Sequence, residues 1–223
     1  MASRGNATEP RRPAPRLYLV TPRDAGGPDA RGLNERLAQA LGAADVAAVL
    51  VRLPPSDERG QINQLKALAP TVQDKGAALL VDGHAELAAR AGADGAHLDG
   101  IAAFQAALAA LKPARIAGCG GLGTRHDAML AGEAGADYVM FGEPDARGRR
   151  PSFDAVTERV AWWAGLFEIP CVGYAAALDE VEPLAAAGAD FVAVGDCVFA
   201  DARGCAAAVA DAAARLATAE TVP

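Results

Sequence analysis

The sequence predicts an α/β protein built as a compact (β/α)8 barrel, and a recurring tetrapeptide is the first reason. Ala-Gly-Ala-Asp begins at Ala91, Ala134 and Ala187, and a looser copy occupies residues 42–45. Each copy follows an alanine-rich amphipathic stretch and precedes a short apolar run. Glycine supplies the left-handed residue that ends many helices, and such a run is typical of a buried parallel strand. Each copy therefore marks a helix-to-strand junction.

The second reason is the number of such units in the chain. Short runs rich in Val, Leu, Ile, Tyr and Phe predict the strands, and the alanine-rich stretches between them predict the helices. Strand–helix alternation favours parallel pairing with right-handed crossovers, and eight units suit a closed barrel. An open doubly wound sheet is the alternative. The predicted strands are 16–20, 46–52, 77–81, 95–98, 115–118, 138–142, 170–174 and 191–195, and the predicted helices are 32–41, 59–68, 84–91, 101–111, 125–134, 153–166, 178–187 and 203–217.

Composition narrows the class of protein. The chain has 223 residues, 56 of them alanine, and a net charge of −7. This acidity argues against nucleic acid as a partner, because phosphate neutralisation needs surplus Lys and Arg. No apolar run is long enough for a membrane span, and the four cysteines lack C-x-x-C spacing. Residues 1–15, rich in Arg and Pro, predict a disordered tail and no secretory signal, so we expect one cytoplasmic domain over 16–223. The oligomeric state is left open.

Charged residues follow several predicted strands, at the barrel end where active sites lie. Arg52, Asp82, Asp99 and Glu143 stand at such positions. A mouth with these groups could hold a phosphorylated ligand, with a divalent cation on Asp82 and Asp99. Solvated loop residues are the alternative interpretation. His97 lies inside a short predicted strand, where it could line the barrel.

A glycine-rich stretch follows the fifth predicted strand. Gly118, Gly120 and Gly123 form a G-x-G-x-x-G pattern that opens a helix. That pattern is typical of dinucleotide binding when it follows the first strand. Because it follows the fifth strand here, phosphate binding by Gly120 and Gly121 in a barrel is the stronger hypothesis.

Several motifs, in order, resemble the thiamine-phosphate synthase family. They are Leu-Tyr-Leu-Val-Thr at 17–21, Gly-Ala-Asp-Gly-Ala-His-Leu at 92–98 and Gly-Ala-Asp-Tyr-Val-Met-Phe-Gly at 135–142. The resemblance implies a (β/α)8 barrel that joins hydroxymethylpyrimidine diphosphate to thiazole phosphate and releases pyrophosphate. It also implies a dissociative step in which Mg²⁺ and basic side chains stabilise the leaving group.

The resemblance assigns roles to particular residues. Arg52 matches the family's pyrophosphate-binding Arg, and His97 belongs to the second motif. The family's metal-binding Asp positions are Gly83 and Ala102 here, so Mg²⁺ binding would fall to the neighbouring Asp82 and Asp99. Further phosphate-binding candidates that the resemblance implies are Gly120 or Gly121 at the family's Ser, Arg149 or Arg150 in place of its Lys, and Gly195, with Asp196 after it, at the Val-Ser of the last phosphate loop. The family's Gly-Gly after strand seven is Ala175-Ala176 here, and Gly173, near the end of that strand, is a further candidate.

Two alternatives to the synthase function remain open. The altered metal and phosphate positions are compatible with a non-catalytic barrel that binds a small molecule or a partner. A thiazole tautomerase of the same fold uses the residue after Phe-Gly at strand six as its acid/base, and that residue is Glu143 here. Glu143 could shuttle a proton if burial raised its pKa.

Overall fold

A computed structural model describes residues 13–23 and 30–219. Its eight parallel strands close into a barrel in the order β1 to β8, with β1 paired to β8. This confirms the (β/α)8 prediction and excludes the open sheet. The strands are β1 Arg16–Val20, β2 Val46–Val51, β3 Ala78–Asp82, β4 Gly95–Asp99, β5 Ile116–Gly120, β6 Tyr138–Phe141, β7 Cys171–Ala175 and β8 Phe191–Val194.

The helices follow the strands around the outside of the barrel. The predicted helix 178–187 is divided into a 3-10 turn, Leu178–Glu180, and a short α-helix, because the Glu180 carboxylate accepts the Ala176 N–H at 2.7 Å and holds the turn. The short helix α8 was not predicted. The helices are α1 Ala30–Ala43, α2 Glu58–Gln73, α3 Ala85–Ala91, α4 Ile101–Leu111, α5 Arg125–Glu133, α6 Phe153–Leu166, α7 Val181–Ala186, α8 Asp196–Phe199 and α9 Cys205–Ala219. In the described part of the chain no helix has the length and apolarity to cross a membrane. Residues 1–12 of the predicted tail lie outside the described residues.

Strand alternation separates two apolar layers. Side chains of one parity, such as Leu50, Met140 and Tyr174, fill the barrel interior. Those of the other parity pack between the barrel and the helices, where many helix contacts are alanines such as Ala88 and Ala212. Because successive strand residues point to opposite faces, parity decides which predicted site residues can reach the barrel mouth.

The tetrapeptide repeat connects neighbouring strands at the N-terminal end of the barrel. The carboxylates of Asp94, Asp137 and Asp190 accept backbone N–H groups of Leu79, Ala117 and Cys171 at 2.7–2.8 Å. The backbone N–H of each aspartate is donated to the carbonyl of the same partner residue. The glycines that precede these aspartates have φ of 76°, 95° and 98°, which confirms the predicted left-handed helix ends.

The looser copy of the repeat makes a different contact. Asp45 accepts two hydrogen bonds, at 2.8 and 2.9 Å, from the Arg16 side chain at the start of β1. This pair holds the pKa of Asp45 below its usual value. Both side chains are exposed. The looser copy therefore makes a surface ion pair where the other three copies make a shielded contact with the backbone.

Candidate active site

A cavity of about 860 Å³ opens at the C-terminal ends of the strands. This is the end of the barrel at which (β/α)8 enzymes have their active sites. Its wall carries equal numbers of basic and acidic side chains, so it suits a ligand that has both anionic and hydrogen-donating groups. The basic groups are Arg23, Arg52, Arg149 and Arg159, and the acidic groups are Asp82, Asp99, Glu143 and Asp145.

Arg52, directly after β2, is the most buried of these cations. Its side chain is 8% exposed, and its backbone N–H donates to the Thr21 hydroxyl at 2.9 Å. Its Nε lies 3.6 Å from Asp82 Oδ2 and finds no hydrogen-bond partner among the described residues. The guanidinium also contacts the Tyr174 hydroxyl. A buried guanidinium with an unused donor is well suited to bind an oxyanion.

Across the cavity from Arg52, four hydrogen-bonded side chains form a series that we call the interior chain. Glu143 Oε1 lies 3.3 Å from His97 Nε2 and accepts the Gly121 N–H at 2.9 Å. His97 Nδ1 lies 2.9 Å from the Tyr138 hydroxyl, which lies 2.9 Å from the Tyr18 hydroxyl. The imidazole also stacks on the Tyr138 ring. The chain thus runs from the cavity wall into the barrel interior.

The pKa values of Glu143 and of the two phenols fix the ionisation of these three groups. Burial raises the pKa of Glu143, but the contact with His97 and the N–H of Gly121 outweigh it, so the carboxyl pKa lies below its usual value. The condition stated for proton shuttling by Glu143, a pKa raised by burial, is therefore not met. Desolvation raises the pKa of both Tyr18 and Tyr138. At neutral pH the phenols are protonated and Glu143 is a carboxylate.

Glycines of β5 make room for this chain. A Cβ at Gly118 would overlap the Tyr138 ring, and one at Gly120 would overlap Glu143 Oε1 and lie 2.5 Å from His97 Nε2. Gly121 has φ of 61°, and a Cβ there would overlap the Asp99 carboxylate. The G-x-G pattern is thus explained by packing inside the barrel. Gly121 lines the cavity.

The two carboxylates predicted to bind metal both reach the cavity. Asp82 faces Arg52, and Asp99 is exposed beside Gly121. Over residues 13–23 and 30–219, no group of three or more His, Cys, Asp or Glu side chains is arranged to hold a metal ion. A cation here would need ligands from the substrate.

The loop after β6 is organised by Asp145. Its Oδ1 accepts the N–H groups of Arg147 and Arg149, and its Oδ2 accepts two hydrogen bonds from the Arg149 guanidinium. These contacts lower the pKa of Asp145. Arg149 therefore lines the cavity as half of an exposed ion pair, whereas Arg150 pairs with Glu180.

Three of the predicted phosphate-binding glycines, Gly120, Gly173 and Gly195, do not belong to the described cavity lining. Gly173 has the outward parity of β7, and its Cα faces Leu184 of α7. Gly195 precedes α8, and its Cα faces the Tyr174 hydroxyl. The cavity does bring together Arg52, Asp82 and His97, along with Asp99, Gly121, Glu143 and Arg149.

Arg159 on α6 lines the cavity but was not predicted. Its guanidinium donates to the carbonyls of Leu122 and Gly123 at 2.7 and 3.2 Å, which fixes the loop that follows β5. The sequence could have indicated Arg159 through its position in the first two turns of a helix that starts at the barrel mouth.

A closed parallel barrel with a charged cavity at this end defines a (β/α)8 protein of the kind that binds and transforms small ligands. The sequence matches the family profile described as Thiamine monophosphate synthase over residues 17–198. The thiamine-phosphate synthase of Rhodospirillum centenum is 38% identical over 199 residues, covering 88% of this chain and 95% of that protein. The chain belongs to the thiamine-phosphate synthase family.

Two further comparisons agree with this assignment. The thiamine-phosphate synthase of Hyphomonas neptunium is 36% identical over 207 residues, covering 89% of this chain and 92% of that protein. A solved structure of thiamine phosphate pyrophosphorylase from Pyrococcus furiosus superposes with a TM-score of 0.75 at 21% identity, covering 92% of this chain and 96% of that one. At that identity the structural likeness supports the fold alone.

Proposed function

We propose that this protein joins hydroxymethylpyrimidine diphosphate to thiazole phosphate with release of pyrophosphate. The observation that carries the proposal is Arg52, whose buried guanidinium has an unused donor at the cavity wall. A diphosphate oxygen would supply the missing acceptor, and the surrounding low-dielectric wall would strengthen that contact. Family membership and the matching position of Arg52 support the same reaction.

Arg52 would act mainly on the leaving group. In a dissociative step the bond to the diphosphate breaks early, so negative charge grows on the departing oxygens. A guanidinium held by Tyr174, on a backbone held by Thr21, stabilises that charge without reorganisation. The Arg159 contacts hold the loop that follows β5 against the same cavity, which keeps water out and the reactants close together.

A magnesium ion fits this cavity only with help from the substrate. Mg²⁺ is usually bound by one or two carboxylates together with waters and substrate phosphates, and Asp82 and Asp99 supply that number of carboxylates. These two residues would hold the ion. When bound, it would neutralise charge on the diphosphate.

The test is to incubate the pure protein with both substrates and Mg²⁺ and to measure thiamine phosphate by fluorescence after oxidation. We expect product from the wild type and a loss of roughly 100- to 1,000-fold in Arg52→Ala. Arg52→Lys keeps the charge but not the planar fork, so it should retain part of the activity. Arg215→Ala, on α9, is the matched control and should match the wild type. Absence of product from a folded wild type that also shows no thermal shift with pyrophosphate would favour the non-catalytic barrel.

A tautomerase-like isomerisation of a thiazole is the second candidate, and the Glu143–His97 contact favours it. Because Glu143 is ionised at neutral pH, it suits the role of base better than that of acid. Exchange of a thiazole carbon-bound proton with solvent, without pyrophosphate release and abolished in Glu143→Gln, would identify this activity.

A further inference from the structure

The interior chain presents a donor to Glu143. Both phenols are protonated. Glu143 is a carboxylate and can only accept, so His97 Nε2 donates to it. In the arrangement in which His97 Nδ1 accepts from Tyr138 and Tyr138 accepts from Tyr18, every hydrogen points from the barrel interior towards Glu143.

This arrangement leaves one oxygen of Glu143 unused. Oε1 receives both His97 and the Gly121 N–H, whereas Oε2 is shielded from water and has no hydrogen-bond partner within the described residues. An unpaired, buried carboxylate oxygen is costly. The side chain as a whole is 15% exposed and lines the cavity. The terminal torsion of a carboxylate is soft, so a small rotation would present Oε2 to a donor there.

Glu143 and Arg52 stand on opposite walls of the cavity. In the closed ring of eight strands, β2 and β6 are four strands apart in either direction. Arg52 directly follows β2, and Glu143 lies two residues after β6. The cavity therefore has an unused donor on the β2 side, at Arg52, and an unused acceptor on the β6 side, at Glu143.

We propose that Glu143 Oε2 accepts a hydrogen bond from a phosphorylated nitrogen heterocycle, either from its amino group or from a protonated ring nitrogen. Arg52 binds the phosphate end of the same ligand. His97, Tyr138 and Tyr18 are positioning residues that keep Glu143 turned and ready as an acceptor. The phosphate contact of Arg52 in this inference rests on the proposed function. The contact between the heterocycle and Glu143, which follows β6, does not depend on it.

The first test measures the binding of two separate fragments by calorimetry. The probes are the dephosphorylated aminopyrimidine alcohol and inorganic pyrophosphate. Glu143→Gln should weaken binding of the aminopyrimidine by roughly ten- to a hundredfold and leave pyrophosphate affinity within about twofold. Tyr174→Phe, which alters a buried phenol at Arg52, should do the reverse. Equal aminopyrimidine affinity in the wild type and Glu143→Gln, or no aminopyrimidine binding to the wild type, would overturn the inference.

The second test examines the positioning residues through a signal that a merely structural role would not change. Nitrogen NMR of labelled histidine should show His97 protonated at Nε2 and bare at Nδ1 in the wild type. Tyr138→Phe keeps the stacked ring but removes the donor to Nδ1, so the Nδ1 signal should move to that of a nitrogen without a hydrogen bond while Nε2 stays protonated. The KM for the pyrimidine substrate should rise about tenfold while kcat changes less. Tyr18→Phe, which acts on His97 only through Tyr138, should raise this KM by less. A wild-type His97 protonated at Nδ1 would contradict the inference.

These outcomes separate the inference from the proposed function. A wild type that binds the aminopyrimidine through Glu143 but forms no thiamine phosphate disproves the synthase activity and leaves the inference intact. A wild type that forms thiamine phosphate while Glu143→Gln has an unchanged KM and unchanged fragment binding disproves the inference alone.

Discussion

The two ends of the barrel use charged side chains in opposite ways. At the N-terminal end, Asp94, Asp137 and Asp190 each accept a backbone N–H of the neighbouring strand and return their own N–H to the same residue. At the C-terminal end, Arg52 and Glu143 each retain an atom without a hydrogen-bond partner in the described chain. Satisfied polar groups stabilise a fold, whereas unsatisfied ones beside a cavity remain able to bind a ligand.

This contrast separates two kinds of mutational effect. A change at the N-terminal end should lower the free energy of unfolding and leave turnover unaffected, since that end does not touch the cavity. A change at the C-terminal end should lower turnover more than stability. Four predictions, in order of decreasing effect, test this division.

Gly120→Ala should have the largest effect. A Cβ there overlaps Glu143 Oε1 and crowds His97 Nε2, so the two side chains must separate. We expect thiamine phosphate formation to fall by roughly a hundredfold, as for a displacement of about 1 Å in an active site, and stability to fall by about 1–3 kcal/mol from overpacking.

The control for this variant is Gly165→Ala in α6, where no atom lies within 4 Å of the added carbon. It should leave activity unchanged and raise stability by about 0.5–1 kcal/mol, because alanine is the better helix former. Full activity in Gly120→Ala would show that the Glu143–His97 contact is dispensable.

Arg159→Met should have an intermediate effect on turnover. It removes two hydrogen bonds to the carbonyls of Leu122 and Gly123 while keeping much of the apolar stem. We expect activity to fall about tenfold and stability by about 1 kcal/mol. Arg125→Met, which breaks an exposed pair with Glu158, is the matched control and should alter neither by a measurable amount. Equal activity in the two variants would contradict a role for Arg159 in fixing the loop.

Asp137→Ala tests the N-terminal end. It deprives the Ala117 N–H of its carboxylate acceptor and also breaks the exposed pair with Lys112, so we expect urea unfolding to show a loss of about 1–3 kcal/mol with unchanged turnover. Asp45→Ala removes a carboxylate from the same place in the repeat, but its partner is the exposed Arg16. That variant should lose about 1 kcal/mol or less. Similar losses in the two variants would mean that the shielded backbone contact adds nothing.

The repeat and the cavity also differ in how far sequence predicts them. The Gly-Ala-Asp copies predicted the strand–helix alternation because helix ends and buried strands have local chemical requirements. The interior chain was not predicted as a unit, because Tyr18, His97, Tyr138 and Glu143 come from four different segments. Their contact depends on strand register and on the space left by Gly118 and Gly120, which no local pattern encodes.

Parity explains the remaining differences in the site. Arg52 and His97 were recognised from strand ends and a motif, and inward parity brings both to the cavity. Gly173 lies inside β7 and has outward parity, so it contacts Leu184. A single residue of register decides between these positions, and boundaries predicted from apolar runs alone do not reach that precision.

The smallest expected effect is a pH dependence of stability that comes from Glu143. Its pKa in the folded protein lies below the usual 4.5 because His97 and the Gly121 N–H favour the charged form. A lowered folded pKa means that the carboxylate stabilises the fold above about pH 4.5, and that this contribution is lost as pH falls through the folded value. Urea unfolding of the wild type and Glu143→Gln between about pH 7 and pH 3 should therefore show the wild type losing stability relative to the variant as acid is added. A wild type that gains relative stability in acid would indicate a raised pKa, and would return Glu143 to the role of a general acid.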